Sequence, residues 1–235
     1  MKRLHKLILA AVTFKALAAA YVFVLLPRLR RWGASDDEVA RALPGDDLVG
    51  DPLYVTTHAI TVAAPAADVF PWLVQIGQNR GGFYTYDVLE NLMKLDIHSA
   101  DTVHPEWQDL TVGEDYITLD PDESMKMTVA VLDPPRAFVI RSGVPGEPPQ
   151  APGDFFKGEI DFSWAFVVEP IGAATSRLLI RCKGSWRKTL ATAFVRRLGL
   201  EPVHFIMEEG MLRGIRSRAE REARQRHETG DRAPA

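Results

Sequence analysis

A chain of 235 residues with 46% hydrophobic and 25% charged residues can bury a substantial core, which excludes disorder along its whole length. Its 28 basic and 31 acidic residues leave a formal charge of −3, so no nucleic-acid partner is expected, because polyanion binders concentrate Lys and Arg on one face. A single cysteine, Cys182, excludes an intrachain disulfide and any Cys-rich metal site.

The chain opens on a nearly continuous apolar run over residues 7–26, long enough as a helix to cross about 30 Å of hydrocarbon. Lys15 interrupts it at a cost of about 2.5 kcal/mol or more near the bilayer centre, which the surrounding Leu, Val and Phe residues offset. The small residues 16–20 resemble a signal-peptide cleavage site. The apolar run nevertheless continues through Tyr21 and Leu26, which favours an uncleaved single-pass anchor and a membrane location. Lys2, Arg3 and Lys6 on one side nearly balance Arg28, Arg30 and Arg31 on the other, leaving the orientation open. Trp32 falls at the headgroup level. Residues 1–31 are thus read as an anchor, 32–51 as an acidic tether punctuated by Pro44 and Gly45, 52–226 as one domain and 227–235 as a disordered tail.

The domain begins with a β-branched strand over residues 53–62, followed by a helix with Pro65 at its first position, Pro71 inside it and Gly77 at its end. Gly81 and Gly82 mark a turn. Residues 84–95 read as a second helix with Val88, Leu89, Leu92 and Leu95 on an apolar stripe. Period-two patterns then predict strands over 116–119, 126–132, 137–141, 160–168 and 177–186. Phe162, Trp164 and Phe166 share one face, as do Leu178, Ile180 and Cys182. Arg181 and Lys183 alternate with that face and are expected in solvent. A Pro- and Gly-rich loop spans 142–158, with Phe155 and Phe156 at its end either capping a cavity mouth or re-entering the core. No alternation of strands and helices supports a parallel sheet, so the class is α+β.

A preliminary helix over 189–198 is expected to break at Gly199, before a long helix over 202–224. At 100° per residue, Val203, Ile206, Met207, Gly210, Met211 and Gly214 share one side of the long helix. Two glycines and two methionines on a buried face admit two readings: close approach of a sheet, or the wall of an adaptable cavity. Phe205 and Leu212, on a second side, offer a surface for a partner protein.

Three stretches, WLVQIGQNRGGFYTYDVLENL, IHSADTVHPEWQDLTVGEDY and PVHFIMEEGMLRGIRSRAE, resemble membrane-anchored bacterial members of the SRPBCC superfamily, the START-like or Bet v 1-like helix-grip proteins. The resemblance covers residues 53–224. It implies a curved antiparallel sheet gripping a long C-terminal helix, with an apolar cavity between them that binds a hydrophobic or lipid-like small molecule. Polyketide cyclase or dehydratase activity occurs in some branches, but the resemblance carries over no catalytic residues and no cofactor.

No G-x-S-x-G elbow, P-loop, dinucleotide fingerprint or HExxH is present. The spacing of His98, Asp101 and His104 is metal-like, but Pro105 and the polar surroundings suggest a loop, and no metal site is assigned. Arg80, Tyr84, Tyr86 and Asn91 are candidates for orienting a ligand headgroup or, equally, for a hydrogen-bonded framework. Phe162, Trp164, His204, Met207 and Met211 are candidates for the ligand's walls. Asp87, Glu90 and His98 are the candidate acid–base groups of the enzymatic alternative, where burial against apolar walls raises a carboxyl pKa.

Overall fold

A computed structural model describes residues 2–92, 96–123, 125–143 and 159–230. The apolar run forms α1 (Lys2–Ala20), a π turn (Tyr21–Leu25) and α2 (Leu26–Leu29). Leu9, Phe14, Leu17 and Phe23 on it are exposed, and Leu9–Leu29 is long and apolar enough to cross a membrane. After α3 (Asp36–Ala40) come β1 (Tyr54–Val62), α4 (Ala66–Val74), α5 (Asp87–Leu92) and five further strands. These are β2 (Tyr116–Thr118), β3 (Lys126–Asp133), β4 (Ala137–Arg141), β5 (Asp161–Gly172) and β6 (Thr175–Ser185). All strand pairs are antiparallel, in the order β1-β6-β5-β4-β3-β2. The last strand therefore pairs with the first, and β1 carries the N-terminal segment to the sheet edge nearest the long helix.

That helix is longer than the sequence suggests. From the Thr189 capping box, α6 (Leu190–Val195) passes through a π turn (Arg196–Leu200) into α7 (Glu201–Gly230) without a break. Gly199 does not stop it, because this glycine stays helical inside the π turn and meets no neighbour within 4 Å. The buried apolar face of α7 is Met211, Ile215, Ala219 and Ala223, an i, i+4, i+8, i+12 row with Leu212 beside it. Val203 and Ile206, expected in the core, are about half exposed, because this end of the helix runs past the sheet. Leu212 is fully buried, and Phe205 packs edge-on against Trp32 and His58, so neither presents the partner surface the sequence suggested. With α4 beside α7 on the same face, the sheet grips the helix in the helix-grip arrangement, and one continuous core lies between them.

The opposite face of the sheet is covered too. The acidic segment expected to be a tether packs onto it, burying Leu43 against Ala59, Val167 and Leu179. Arg181 anchors this layer and is buried rather than solvated. Its guanidinium donates to Thr57 Oγ1, to the carbonyls of Arg41, Glu38 and Val39, and to Asp46, which engages all five of its N–H groups. Lys183 reaches Asp46 as well, at 2.9 Å. The alternation of β6 was correct, but its outward face meets protein instead of water.

Helix α5 departs from the expected stripe: Val88 is 86% exposed and Leu92 79%. The inner side of this short helix is polar. Asp87 accepts from the Ser99 amide and hydroxyl, and Asn91 exchanges two hydrogen bonds with the Ile97 backbone, so the apolar residues turn outward. Leu95 and the loop holding Phe155 and Phe156 lie outside the described residues, as do the side chains of Leu89 and Glu90.

Candidate functional site

Two features meet at Trp164, on the inner face of β5. The first is an apolar cavity of about 180 Å³ between sheet and helix, lined by Phe83, Thr85, Ile97, Leu119, Trp164, Met207 and Met211. Phe83 and Trp164 stack across it with ring centroids 6.3 Å apart and planes 22° from parallel. The Thr85 hydroxyl, which lies 3.7 Å from Met207 Sδ, is the one polar side-chain group among the described lining residues, since the Trp164 N–H points away to Glu208. Gly210 and Gly214 bring the 84–86 segment against the helix. A Cβ at Gly214 would lie 1.9 Å from the Tyr84 carbonyl oxygen, and one at Gly210 would lie 2.7 Å from the Tyr86 ring. The glycines therefore admit the 84–86 segment and not the sheet that the sequence suggested, while the methionines line the cavity wall.

The second feature is a buried polar cluster around Glu208. Thr56, Cys182 and Trp164 are register partners on the adjacent strands β1, β6 and β5, and α7 lays Glu208 over that row. Glu208 Oε1 accepts from Trp164 Nε1 at 2.9 Å and from the Cys182 thiol at 3.0 Å. Its Oε2 lies 2.5 Å from His58 Nδ1, and His58 Nε2 donates to the Leu29 carbonyl at 2.7 Å. One turn earlier on the helix, His204 Nδ1 accepts from the Tyr54 hydroxyl at 2.9 Å.

The protonation states agree with these contacts. Burial alone would raise the Glu208 pKa, but His204, His58 and the hydrogen bonds outweigh it and hold the carboxyl at about 2. Burial opposes a charge on His58, yet Glu208 and the Leu29 carbonyl raise its pKa, making it the imidazolium partner. Burial pushes the His204 pKa down against the pull of the Glu208 carboxylate, and its Nδ1 meets the Tyr54 hydroxyl. Burial and Glu208 push the Cys182 thiol well up, so it remains a donor. Each group carries the charge its neighbours need, and Glu208 locks the Trp164 indole that forms the cavity wall.

Among the described residues, Cys182, His204 and Glu208 place donor atoms within 4.8 Å of one another, a donor set that suits zinc. The hydrogen bonds above already occupy Glu208 Oε1 and the thiol proton. The spacing singled out in the sequence does not converge: His98 is exposed beside Asp96, His104 pairs with Glu106 over Trp107, and Asp101 faces Arg218 and Arg221.

Of the sequence-derived candidates, Trp164, Met207 and Met211 meet in the cavity, and His204 lies in the polar cluster next to it. Phe162 packs on the core two residues away. Arg80 donates to the carbonyls of Val74 and Trp107. Tyr84 is buried, accepts from Gln75 and lies under Arg218, 5.1 Å from the ring centroid. Tyr86 reaches toward Glu209, and Asn91 toward Ile97. These polar residues form the framework of the 75–104 region and do not line the cavity. Neither Asp87 nor His98 lines it either, and the Glu90 side chain lies outside the described residues. Sequence reasoning missed His58, Glu208 and Phe83. The available signal was a histidine at an inward-parity position of β1 and the His204–Glu208 spacing on α7.

A larger open groove of about 670 Å³ runs along Trp32, Arg177, Arg213 and Arg216. Those arginines are already paired with Glu38, Glu209 and Glu220, so the smaller apolar cavity is the better candidate.

No family model matches the chain, and neither does any curated protein. Solved structures do. The ZhuI aromatase/cyclase from Streptomyces sp. R1128 aligns at 19% identity over 72% of this chain and 94% of that one, with a TM-score of 0.40. A hypothetical protein from Helicobacter pylori aligns at 12% identity over 77% and 96%, with a TM-score of 0.44. A truncated norcoclaurine synthase from Thalictrum flavum aligns at 14% over 68% and 91%, with a TM-score of 0.35. The likeness at these values lies in the course of the chain and carries no argument about binding or chemistry.

Proposed function

We propose that this protein binds a hydrophobic small molecule in the sheet-to-helix cavity and is held at a membrane by its N-terminal helix. The observation that carries the reading is the lining: six apolar side chains and one hydroxyl around about 180 Å³. The pocket is open to solvent on one side, and its apolar walls favour an apolar group over water. An aromatic ring or a branched chain end fits. A ring burying roughly 150 Å² at about 25 cal/mol per Å² gains about 4 kcal/mol, only millimolar affinity by itself. The natural ligand therefore extends out through the open mouth, placing its apolar end against the Trp164, Met207 and Met211 wall and any carbonyl or hydroxyl near Thr85. Met207 and Met211 adapt to its shape. The length and apolar character of Leu9–Leu29 support the membrane tether.

The cyclase or dehydratase alternative needs a proton-transfer group facing the ligand. Among the described lining residues none titrates near neutral pH, so the cavity lends that reading no support.

Native mass spectrometry of the full chain released gently from detergent tests the proposal. The expected result is a bound apolar adduct that Met207→Trp, which fills the cavity, abolishes while the unfolding midpoint stays unchanged. A wild-type protein without an adduct that also fails to bind an anilinonaphthalene probe would refute it.

A further inference from the structure

The long helix begins beyond the sheet, and its overhang is apolar on the outside. Leu190 is 93% exposed, Phe194 65% and Leu198 52%, at i, i+4 and i+8, so they share one helical face. Val195 beside them is partly exposed, as are Val203 and Ile206 one and two turns further on. A folded chain does not leave a contiguous row of large apolar side chains in water without a partner for it.

The position of the overhang identifies that partner. Three contacts, in the same order along both segments, lay the overhang beside the N-terminal helix. Tyr21 donates to the Arg197 carbonyl at 2.5 Å. Arg30 grips Glu201 with two hydrogen bonds, at 2.9 and 2.8 Å, and Arg196 joins the same carboxylate. Trp32 meets Phe205 with centroids 6.3 Å apart. The contacts follow the same order along both segments, but nine residues separate Tyr21 from Arg30 and four separate Arg197 from Glu201, so the two segments cross at this junction. Arg197, at the end of the overhang, thus touches the first residue after α1. Leu190 lies about 10 Å along the helix from this contact with the segment that is long enough to cross a membrane. Arg187, Lys188 and Arg197, all exposed, supply the basic residues that attract anionic headgroups, and their stems reach outward from an apolar bed.

We infer that the 190–198 overhang inserts its Leu190, Phe194 and Leu198 face into the phospholipid leaflet entered by the N-terminal helix, as a second membrane contact. This rests on the tether reading above. It adds that the domain is docked on the bilayer at a set orientation instead of swinging from a single helix. The salt-bridged Arg30–Glu201–Arg196 junction holds the two membrane elements together.

Full-length protein labelled with the environment-sensitive fluorophore NBD at Phe194→Cys, or separately at Leu17→Cys, and reconstituted in phosphatidylcholine/phosphatidylglycerol vesicles tests this. The unsubstituted chain, whose only cysteine is buried, supplies the blank. The expected result at 194 is blue-shifted emission, quenched by shallow spin-labelled lipid and protected several-fold from aqueous iodide. Water-like emission at 194, open to iodide, would overturn the inference. So would a blue shift without lipid quenching, which would assign the face to a second copy or another protein. The label at 17 reports the tether alone. Lipid quenching at 17 without quenching at 194 sinks only the present inference, whereas no quenching at 17 sinks the tether reading. Arg224→Cys, at an exposed position far along the helix, provides the unquenched reference. Phe194→Asp, substituted where the side chain already faces outward, should leave the fold intact and reduce the protection from iodide at a label placed on Leu190→Cys.

Discussion

Glu208 shows how a single buried carboxylate organises its surroundings. A charge with 1% exposure is tolerable only when hydrogen-bonded and paired, and here an indole N–H, a thiol and an imidazolium divide its two oxygens. Its carboxyl is held at about 2 against an ordinary value of 4.5, so between those values the unfolded chain binds more protons than the folded one. The stability contributed is complete above pH 4.5 and disappears as pH falls toward 2, a loss on the order of 3 kcal/mol. Glu38, held at about 2 chiefly by its hydrogen bond to Arg177, acts in the same window. Glu208→Gln should therefore be less stable than wild type at pH 6, yet lose less between pH 5 and 3, as urea unfolding at the two pH values will show. An unchanged slope would remove Glu208 from this role. His58 works in the opposite sense: its raised pKa gives stability that is full below its ordinary 6.5 and declines as pH rises through the folded value. Cys182, with its pKa pushed up by burial, is expected to resist thiol reagents until the protein unfolds, and rapid modification of the native chain would contradict the placement described.

At the scale of elements, Gly199, Gly210 and Gly214 of the long helix should respond differently to replacement by alanine. Gly199 has open space around it, so Gly199→Ala gains helix propensity, up to about 1 kcal/mol of added stability. Gly214 gains the same propensity, but its new methyl would lie 1.9 Å from the Tyr84 carbonyl oxygen. Backbone cannot move aside as a flexible side chain can, and overpacking of this kind costs about 1–3 kcal/mol. The clash wins. Gly214→Ala is thus expected to lower the thermal midpoint and Gly199→Ala to raise it, and equal shifts would show that the contact is not as close as drawn. Gly210 is intermediate, because the Tyr86 ring that its methyl would meet is half exposed and free to swing. Strand boundaries were readable because parity on a two-faced sheet leaves a plain alternation, as in β5 and β6. Helix α5 was misread for the converse reason: in six residues a few backbone hydrogen bonds from Asp87 and Asn91 outweigh the burial of two apolar side chains.

At the scale of the whole molecule, the domain is a sheet with a helix on one face and the 32–51 segment on the other, and Arg181 holds the second layer down. Removing its guanidinium leaves three carbonyls and much of Asp46 without their donor, while the sheet keeps its ladder. Arg181→Ala should therefore release this segment to limited proteolysis near Glu38, with the β-sheet signal in circular dichroism retained. Continued protection would mean that Leu43 and Lys183 suffice. The same outlook explains the cavity. The helix is held at its start by the Arg30–Glu201–Arg196 junction and further on by Ile215, Ala219 and Ala223, and the space left over Met207 and Met211 lies between these two holds, beside the Glu208 cluster.

The sequence by itself determined the class, nearly every strand, the apolar N-terminal helix and the gripping helix with its methionines, because periodicity and composition are local properties. It also named Trp164, Met207 and Met211 as neighbours of one space. Only the tertiary structure decided that Arg181 and Lys183 lie beneath protein, that Gly199 continues a helix whose start projects past the sheet, and that His58 and Glu208 face each other. Those outcomes depend on which distant segments supply donors, carbonyls and charges to one another, and no residue carries that information until the chain has closed around it.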